Sequence, residues 1–375
     1  MVFKNGIIFT ENGWQAGGFE VTDDGKFGAF FFGEQPKDGV DLQGKKVIPG
    51  LIDVHIHGAV GADFSDGDLE GLTRMGQYLL KEGITSFAPA SMTLPYDVLK
   101  KAFSAGRDYA DNTPANGARL MGIHMEGPYF SEKKKGAQNG DYLKNPDFEG
   151  FKALYEGCQG LVKIVDVAPE LPGAAEFVEQ AKALCTVSIA HTDSDYEHAK
   201  AAVEAGVTHL THLFNAMPGI NHRSPGVIPA VAENKAVRAE LICDGIHIHP
   251  ASVRLAFQLF GGDRMILISD ALRCCGMPNG QYELGGQTVY LEGGVGRLAD
   301  GTIAGAVTNL FEGMRRCISF GIQETDAIRA ATINPAKAIG ADDEIGSIAT
   351  SKNADFIVCT SDYSEKQVFK SGIAI

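Results

Sequence analysis

Apolar runs alternate with amphipathic segments along the middle of the chain, and both ends are strand-like. Eight apolar runs recur: VIPGLIDVHIH, ITSFAPA, RLMGIHME, LVKIVDVAPE, TVSIAHT, VTHLTHLF, AELICDG and MILISDA. Between them stand segments of helical composition, among them DLEGLTRMGQYLLKEG, AAEFVEQAKALC, DYEHAKAAVEAG and PASVRLAFQLFGG, with ALYEG before the fourth run the least defined. Strand followed by helix, eight times over, predicts an α/β fold, a (β/α)8 TIM-type barrel. Residues 1–48 break into short strands at turn dipeptides, and the closing runs DFIVC and KQVFKSG read the same way. This predicts a small β-sandwich domain formed by both chain ends, residues 1–48 and 345–375, around a barrel at 49–344. The stretch from Arg273 to Gly305 fits no barrel unit. Its strand patches GQTVYLEG and GTIAG predict an excursion after strand eight that returns over the barrel mouth. GVGRLA within it matches a loose GxGxxA, but no helix follows, so we do not read it as a nucleotide loop.

Composition narrows the partners. The 375 residues are 44% hydrophobic and 21% charged, ordinary for a soluble globular protein. A net charge of −14 argues against a broad basic face, hence against nucleic acid, and requires any phosphate site to be local. No apolar run approaches the roughly 20 residues that span a bilayer, and the start MVFKNGIIFTENGW lacks a signal-peptide pattern. Seven scattered cysteines without a CxxC pair read as reduced thiols of a cytoplasmic protein.

Polar residues concentrate where a barrel does its chemistry, at the C-terminal ends of the strands. Strand one ends in Asp53-Val54-His55-Ile56-His57, strand three in His124-Met125-Glu126, strand five in His191, and strand six in His212. Strand seven ends in Asp244 with His247 beyond, and strand eight in Asp270. Residues two apart on a strand share a face, so His55 and His57 point together, as do His124 and Glu126. His209 and His212 are three apart and should point oppositely; His212, nearer the strand end, is the better ligand, and His209 should pack outward against a helix. Imidazole and carboxylate groups converging at one mouth suit Zn²⁺, Fe²⁺ or a similar divalent ion. Asp270 fits two roles, an N-cap of the next segment or a carrier of protons beside a metal, and we favour the second. Asp53, one step deeper, should orient a ligand histidine; His124 should do the same or stabilise a turn. Asn215 and Arg223 on the loop after strand six suit a sugar hydroxyl and a phosphate; the plainer reading is a turn with an exposed arginine.

These stretches resemble the amidohydrolase superfamily and, within it, the N-acetylglucosamine-6-phosphate deacetylases. The pieces are PGLIDVHIHG (49–58), HMEGP (124–128), AHTDSDY (190–196), THLFNAMP (211–218), HRSPG (222–226), DGIHIHP (244–250), SDAL (269–272) and DGTIAGA (300–306). The resemblance implies that Glu126, His191 and His212 hold one ion; some members use only that one, and His55 and His57 leave room for a second with Glu126 bridging, so one or two per subunit. Glu126 stands in for a carbamylated lysine on strand four of other members, and KIVDVAPE has no lysine at its mouth end. Asp270 is implied as the catalytic acid and base. Asn215, Ala216 through its backbone, Arg223 and His247 are implied as sugar and phosphate contacts. Ala137 and Gln138 are implied as further substrate contacts, as are Ile303, Ala304 and Gly305 in the loop that covers the sugar. Gln138 stands where some members carry histidine, which puts a charged contact there in doubt. The resemblance also implies a homodimer whose partner contributes an arginine to the phosphate site. The alternatives are an amidohydrolase for another N-acyl amino sugar or cyclic amide, and a non-catalytic scaffold, against which the full ligand set weighs.

Overall fold

The computed structural model describes all 375 residues. Its centre is a ring of eight parallel strands: Leu51–Ile56, Ile84–Pro89, Ile123–Met125, Val162–Val167, Thr186–Ile189, His209–Leu210, Arg238–Ile242 and Met265–Ile268. We call these barrel strands one to eight. Strands three to eight pair in sequence order, and strand one pairs strand two. Two links close the ring. Ala90 bridges His124 between strands two and three, and the Asp270 amide donates to the His55 carbonyl at 2.9 Å between strands eight and one.

Each strand is followed by a helix: Leu69–Lys81, Tyr96–Asp111, Phe148–Gly157, Ala174–Ala181, Tyr196–Ala205, Val227–Glu233, Pro250–Phe260 and Leu310–Ser319. Short polar side chains start several of them. Asp68, Asp147, Asp195 and Asn309 each accept a first-turn amide hydrogen, which satisfies otherwise orphaned donors. The segment ALYEG lies in the third helix. The first helix buries Leu72, Met75, Leu79 and Leu80 at helical spacing against the barrel. A core cluster of 72 buried residues fills the layer between strands and helices. Two further helices, Glu324–Ala330 and Ile333–Ala338, cover the starting ends of the strands. Thr186, first in strand five, donates to the Ala338 carbonyl, and Asn334 donates to the carbonyl of Met265, first in strand eight.

The two chain ends meet in one eight-stranded sheet. Lys46–Pro49 is its joint, parallel to Val2–Thr10 on one side and antiparallel to Phe356–Cys359 on the other. Instead of two separately bonded sheets, the strands form one continuous order that wraps until Lys26 meets Asn353. Its core is aromatic: Phe356 stacks on Phe369 at 4.5 Å and meets Phe3 and Phe19 edge-on at 5.1 Å each. The run VIPGLIDVHIH therefore serves both units, with Gly50 between Pro49 and Leu51. A Cβ at Gly50 would lie 2.2 Å from Thr85 Oγ1, so strand two approaches too closely for any larger residue.

The excursion after strand eight is a four-stranded antiparallel sheet, Gly280–Leu284, Gln287–Glu292, Val295–Arg297 and Ile303–Gly305. Its underside has its own small core, Met92, Leu272, Cys274, Leu284, Val289 and Leu291. Gln287 donates to the Ala137 carbonyl at 2.6 Å and ties this flap to the loop after strand three.

Candidate active site

Glu126 is the centre of the mouth. It follows strand three, is 2% exposed, and four imidazole nitrogens face its carboxylate. His191 Nε2 and His212 Nε2 lie 3.1 and 3.2 Å from Oε1, with His55 Nε2 at 3.7 Å. His57 Nε2 lies 3.3 Å from Oε2. Asp270 Oδ1 faces the same point, 3.3 Å from His57 Nε2 and 3.6 Å from His55 Nε2. Strands one, three, five, six and eight thus aim five ligand-type side chains and one further carboxylate at a single spot.

Three histidines are locked for ligation by what their other nitrogen touches. His57 Nδ1 faces the Ala90 carbonyl at 3.2 Å, His191 Nδ1 the Lys134 carbonyl at 2.9 Å, and His55 Nδ1 the Glu240 carboxylate at 2.9 Å. Carbonyl and carboxylate oxygens only accept, so Nδ1 carries a hydrogen and Nε2 is the nitrogen that offers a lone pair once an ion displaces any proton on it. Phe130 stacks on His191 at 4.4 Å and fixes its plane. The residues fit a divalent cation on two counts. His55 Nε2 is fully buried with no hydrogen-bond partner, and His191 Nε2 and His212 Nε2 stand 3.1 Å apart, a separation that suits two lone pairs sharing an ion.

The charge balance agrees. Burial alone would raise the Glu126 carboxyl, but the charge of His55 and hydrogen bonds from His191 and His212 outweigh it and hold it well below the usual range. Burial works against the imidazolium forms of His57 and His212. Hydrogen bonding to Asp270 for the first and to Glu126 for the second, with the surrounding carboxylate charge, raises both to about 9. A cation would replace these protons, so its affinity must rise with pH.

The local backbone explains how short strands aim these groups. His191, His212 and Asp270 have φ of +43°, +30° and +48°. Each ends its strand in a left-handed turn that swings the side chain over the mouth. This corrects the alternation argument for strand six. That strand stops at Leu210, so His212 lies beyond the pleat and His209 is not forced outward. His209 is fully buried, and its Nε2 donates to Glu240 Oε1 at 2.9 Å. Asp53 is corrected as well: it accepts from the His55 and Ser269 backbone amides, both at 3.3 Å, and touches no histidine ring. His124 lies deeper, between the Val54 carbonyl and Asp166, each at 3.0 Å.

A cavity of about 210 Å³ opens above Glu126. It is lined by His57, Glu126, His191, His212 and Asp270 and by the expected contacts Ala137, Gln138, Asn215, Ala216, His247, Ile303, Ala304 and Gly305. Gln138 is turned to its neighbours: its amide donates to Glu126 Oε2 at 2.8 Å and accepts from the Thr93 amide at 2.7 Å. His247 is fixed through Nδ1 by Asp244 Oδ2 at 2.7 Å. Arg223 is not in the lining; it stands exposed on the loop after strand six. Met92, Gly136 and Thr302 line the cavity without having been singled out. Glu240 was also missed, although a carboxylate in mid-strand, in RAELI, was the available signal.

Known proteins resemble this chain along nearly its whole length. The amidohydrolase family matches residues 46–374. An N-acetylglucosamine-6-phosphate deacetylase of Bacillus subtilis is 37% identical over 371 residues, covering 96% of this chain and 93% of the relative. An N-acetylgalactosamine-6-phosphate deacetylase of Escherichia coli O157:H7 is 30% identical, covering 90% and 89%. Among solved structures, a mutant N-acetyl-D-glucosamine-6-phosphate deacetylase of Mycobacterium smegmatis, in complex with N-acetyl-D-glucosamine-6-phosphate, superposes with a TM-score of 0.94. It is 29% identical and covers 100% of this chain and 98% of its own. The chain belongs to the amidohydrolase family.

Proposed function

We propose that this protein is an N-acetylglucosamine-6-phosphate deacetylase, hydrolysing the acetamide of that phosphosugar to acetate and glucosamine 6-phosphate in amino-sugar catabolism and cell-wall sugar recycling. The carrying observation is the convergence of Glu126, four histidines and Asp270 beneath one cavity, in a chain whose relatives bear this name.

Glu126, His191 and His212 would hold a divalent ion, Zn²⁺ or Fe²⁺, and His55 and His57 with Glu126 leave room for a second, one or two per subunit. Such an ion, when bound, supplies Lewis acidity to the acyl oxygen and acidifies water. The protein's own groups do the rest. Asp270 takes a proton from the attacking water, whose oxygen bonds to the acyl carbon. Asp270 then delivers that proton to the sugar nitrogen as the carbon–nitrogen bond breaks. Asn215, the Ala216 backbone and His247 would hold the sugar from one side, with Ala137 and Gln138 opposite. Ile303, Ala304 and Gly305 of the flap would exclude water from above. We take the working form to be a cytoplasmic homodimer. The exposure of Arg223 supports a role toward the phosphate in a neighbouring subunit. No helix is long and apolar enough to cross a membrane. We take residues 1–48 and 345–375 as the small domain and 49–344 as the barrel.

The E. coli relative's name supplies the alternative that a test must exclude, the C4-epimeric galactosamine phosphate as substrate. The test is acetate release from both phosphosugars and from unphosphorylated N-acetylglucosamine, with elemental analysis of the protein used. The expected order of kcat/KM is gluco-phosphate, galacto-phosphate, free sugar. A larger value for the galacto-phosphate reverses the assignment; equal rates with and without phosphate remove the phosphate role of Arg223. No acetate from any of them overturns the reading.

A further inference from the structure

Glu240 sits in the middle of barrel strand seven with no solvent exposure. A buried carboxylate is expensive unless its oxygens are satisfied, and an apolar residue of similar size would pack this core more cheaply. The oxygens are satisfied in a particular way. Oε2 accepts from His55 Nδ1 at 2.9 Å and from the His212 backbone amide at 3.2 Å. Oε1 accepts from His209 Nε2 at 2.9 Å. One oxygen thus grips two segments that each carry an ion-facing imidazole, strand one through a ring and the turn after strand six through its main chain. The other oxygen is braced by a histidine outside the cavity lining. Meanwhile His55 Nε2 is buried, unpartnered and turned toward Glu126.

We propose that Glu240 is a positioning residue for the metal centre: it fixes His55 in the tautomer whose Nε2 offers a lone pair to the ion, and it anchors the turn that carries His212. The inference rests on reading the Glu126 cluster as a metal site. Glutamine at 240 has nearly the same shape but only one accepting oxygen. Its NH2 group must then face either His209 or the position shared by His55 Nδ1 and the His212 amide. In the second orientation His55 Nδ1 becomes the acceptor, and the ring hydrogen moves to Nε2, where it blocks ligation. In the first, His209 must move its hydrogen to the buried, unpartnered Nδ1 to accept from the amide, and His55 is held by a neutral amide oxygen, a weaker acceptor than a carboxylate.

The experiment compares wild type and Glu240→Gln after chelator stripping, titrating Zn²⁺ against a chromophoric chelator and checking the fold by circular dichroism. The variant is expected to bind zinc roughly 10- to 100-fold more weakly, the range for losing an outer partner of a metal-bound histidine, with an unchanged zinc-free spectrum. A second measurement needs no variant. In zinc-loaded wild type labelled with ¹⁵N-histidine, with His55→Asn for assignment, the His55 Nδ1 proton should exchange slowly, as a hydrogen bond to a buried carboxylate requires. Equal zinc affinity in the variant, or an unprotected His55 Nδ1 proton in wild type, overturns the role of Glu240 while leaving the metal site standing. Wild type that binds no zinc overturns the metal reading itself.

Discussion

Replacing Asp270 by asparagine removes a proton acceptor and leaves the rest of the mouth in place. The choice of asparagine follows from the backbone. Asp270 has φ of +48°, a region asparagine tolerates, whereas alanine there adds about 1–2 kcal/mol of strain and blurs the result. The main chain is held independently of the side chain: the Asp270 amide donates to His55 and its carbonyl accepts from the Ala306 amide, at 2.9 and 2.8 Å. Burial pushes the carboxyl up, but the hydrogen bond from His57 and the charges of His55 and His57 hold it below its usual value. It is therefore ionised and able to accept a proton at neutral pH. Losing a general acid–base group costs about 10²- to 10⁴-fold in rate, or about 2.7–5.4 kcal/mol of barrier. The upper end is expected here. The only other carboxylate in the cavity lining is Glu126, already faced by four histidines, and His247 has its Nδ1 tied to Asp244. The assay is acetate release at saturating substrate, with KM and metal content measured on the same protein. We expect kcat to fall about 10⁴-fold with metal content retained. A fall smaller than about tenfold refutes the proton-transfer role, and loss of the metal together with activity makes Asp270 a ligand instead.

Two predictions concern stability. Phe356→Ala should destabilise the small domain by about 3–5 kcal/mol, the usual cost of emptying an aromatic core site. Trp14, the single tryptophan, lies 5.1 Å from Phe9 in the same sheet and reports the transition by fluorescence; a loss under about 1 kcal/mol contradicts the packing described. Asp63→Asn should give a pH-dependent gain. Burial raises the Asp63 carboxyl to about 6, only partly offset by the charges of Arg273 and His57. The folded form thus holds its proton more tightly than the unfolded chain, and this contribution to stability is lost as pH climbs from about 4 to about 6. Asparagine can still cap the turn at Ser65 without a charge to bury. In metal-free protein the variant's melting advantage should grow across that window and then level off; a constant offset from pH 4 to 8 refutes it.

The barrel was legible because its signals are local: apolar runs of strand length, helical segments between them, and polar residues where the runs stop. The convergence of histidines and carboxylates at the mouth was legible because most of them lie at those stops. The pleat rule failed where strands were too short to obey it. Strand six is two residues long, and the left-handed turn at His212 makes its direction independent of His209. Glu240 was hidden for the opposite reason. It sits inside a regular strand, and only the spatial neighbourhood of strands one and six reveals that a mid-strand carboxylate has three partners. The wrapping of the terminal strands into one sheet was equally out of reach, since its closing contact joins Lys26 to Asn353 across most of the chain.

The joint at Lys46–Pro49 also sets a schedule for synthesis. Its second neighbour, Phe356–Cys359, is translated about 300 residues later, a wait of roughly 15–60 s at ordinary elongation rates. Throughout that time the nascent chain carries an unpaired strand edge, and Phe3, Phe19 and Phe27 lack the Phe356 and Phe369 rings that complete their core. An open edge beside exposed aromatic rings is a template for joining another chain. Ribosome stalling or truncation beyond the barrel but before residue 356 would leave it open permanently, so premature termination near the end of this gene would yield an aggregating product in place of a slightly shortened enzyme.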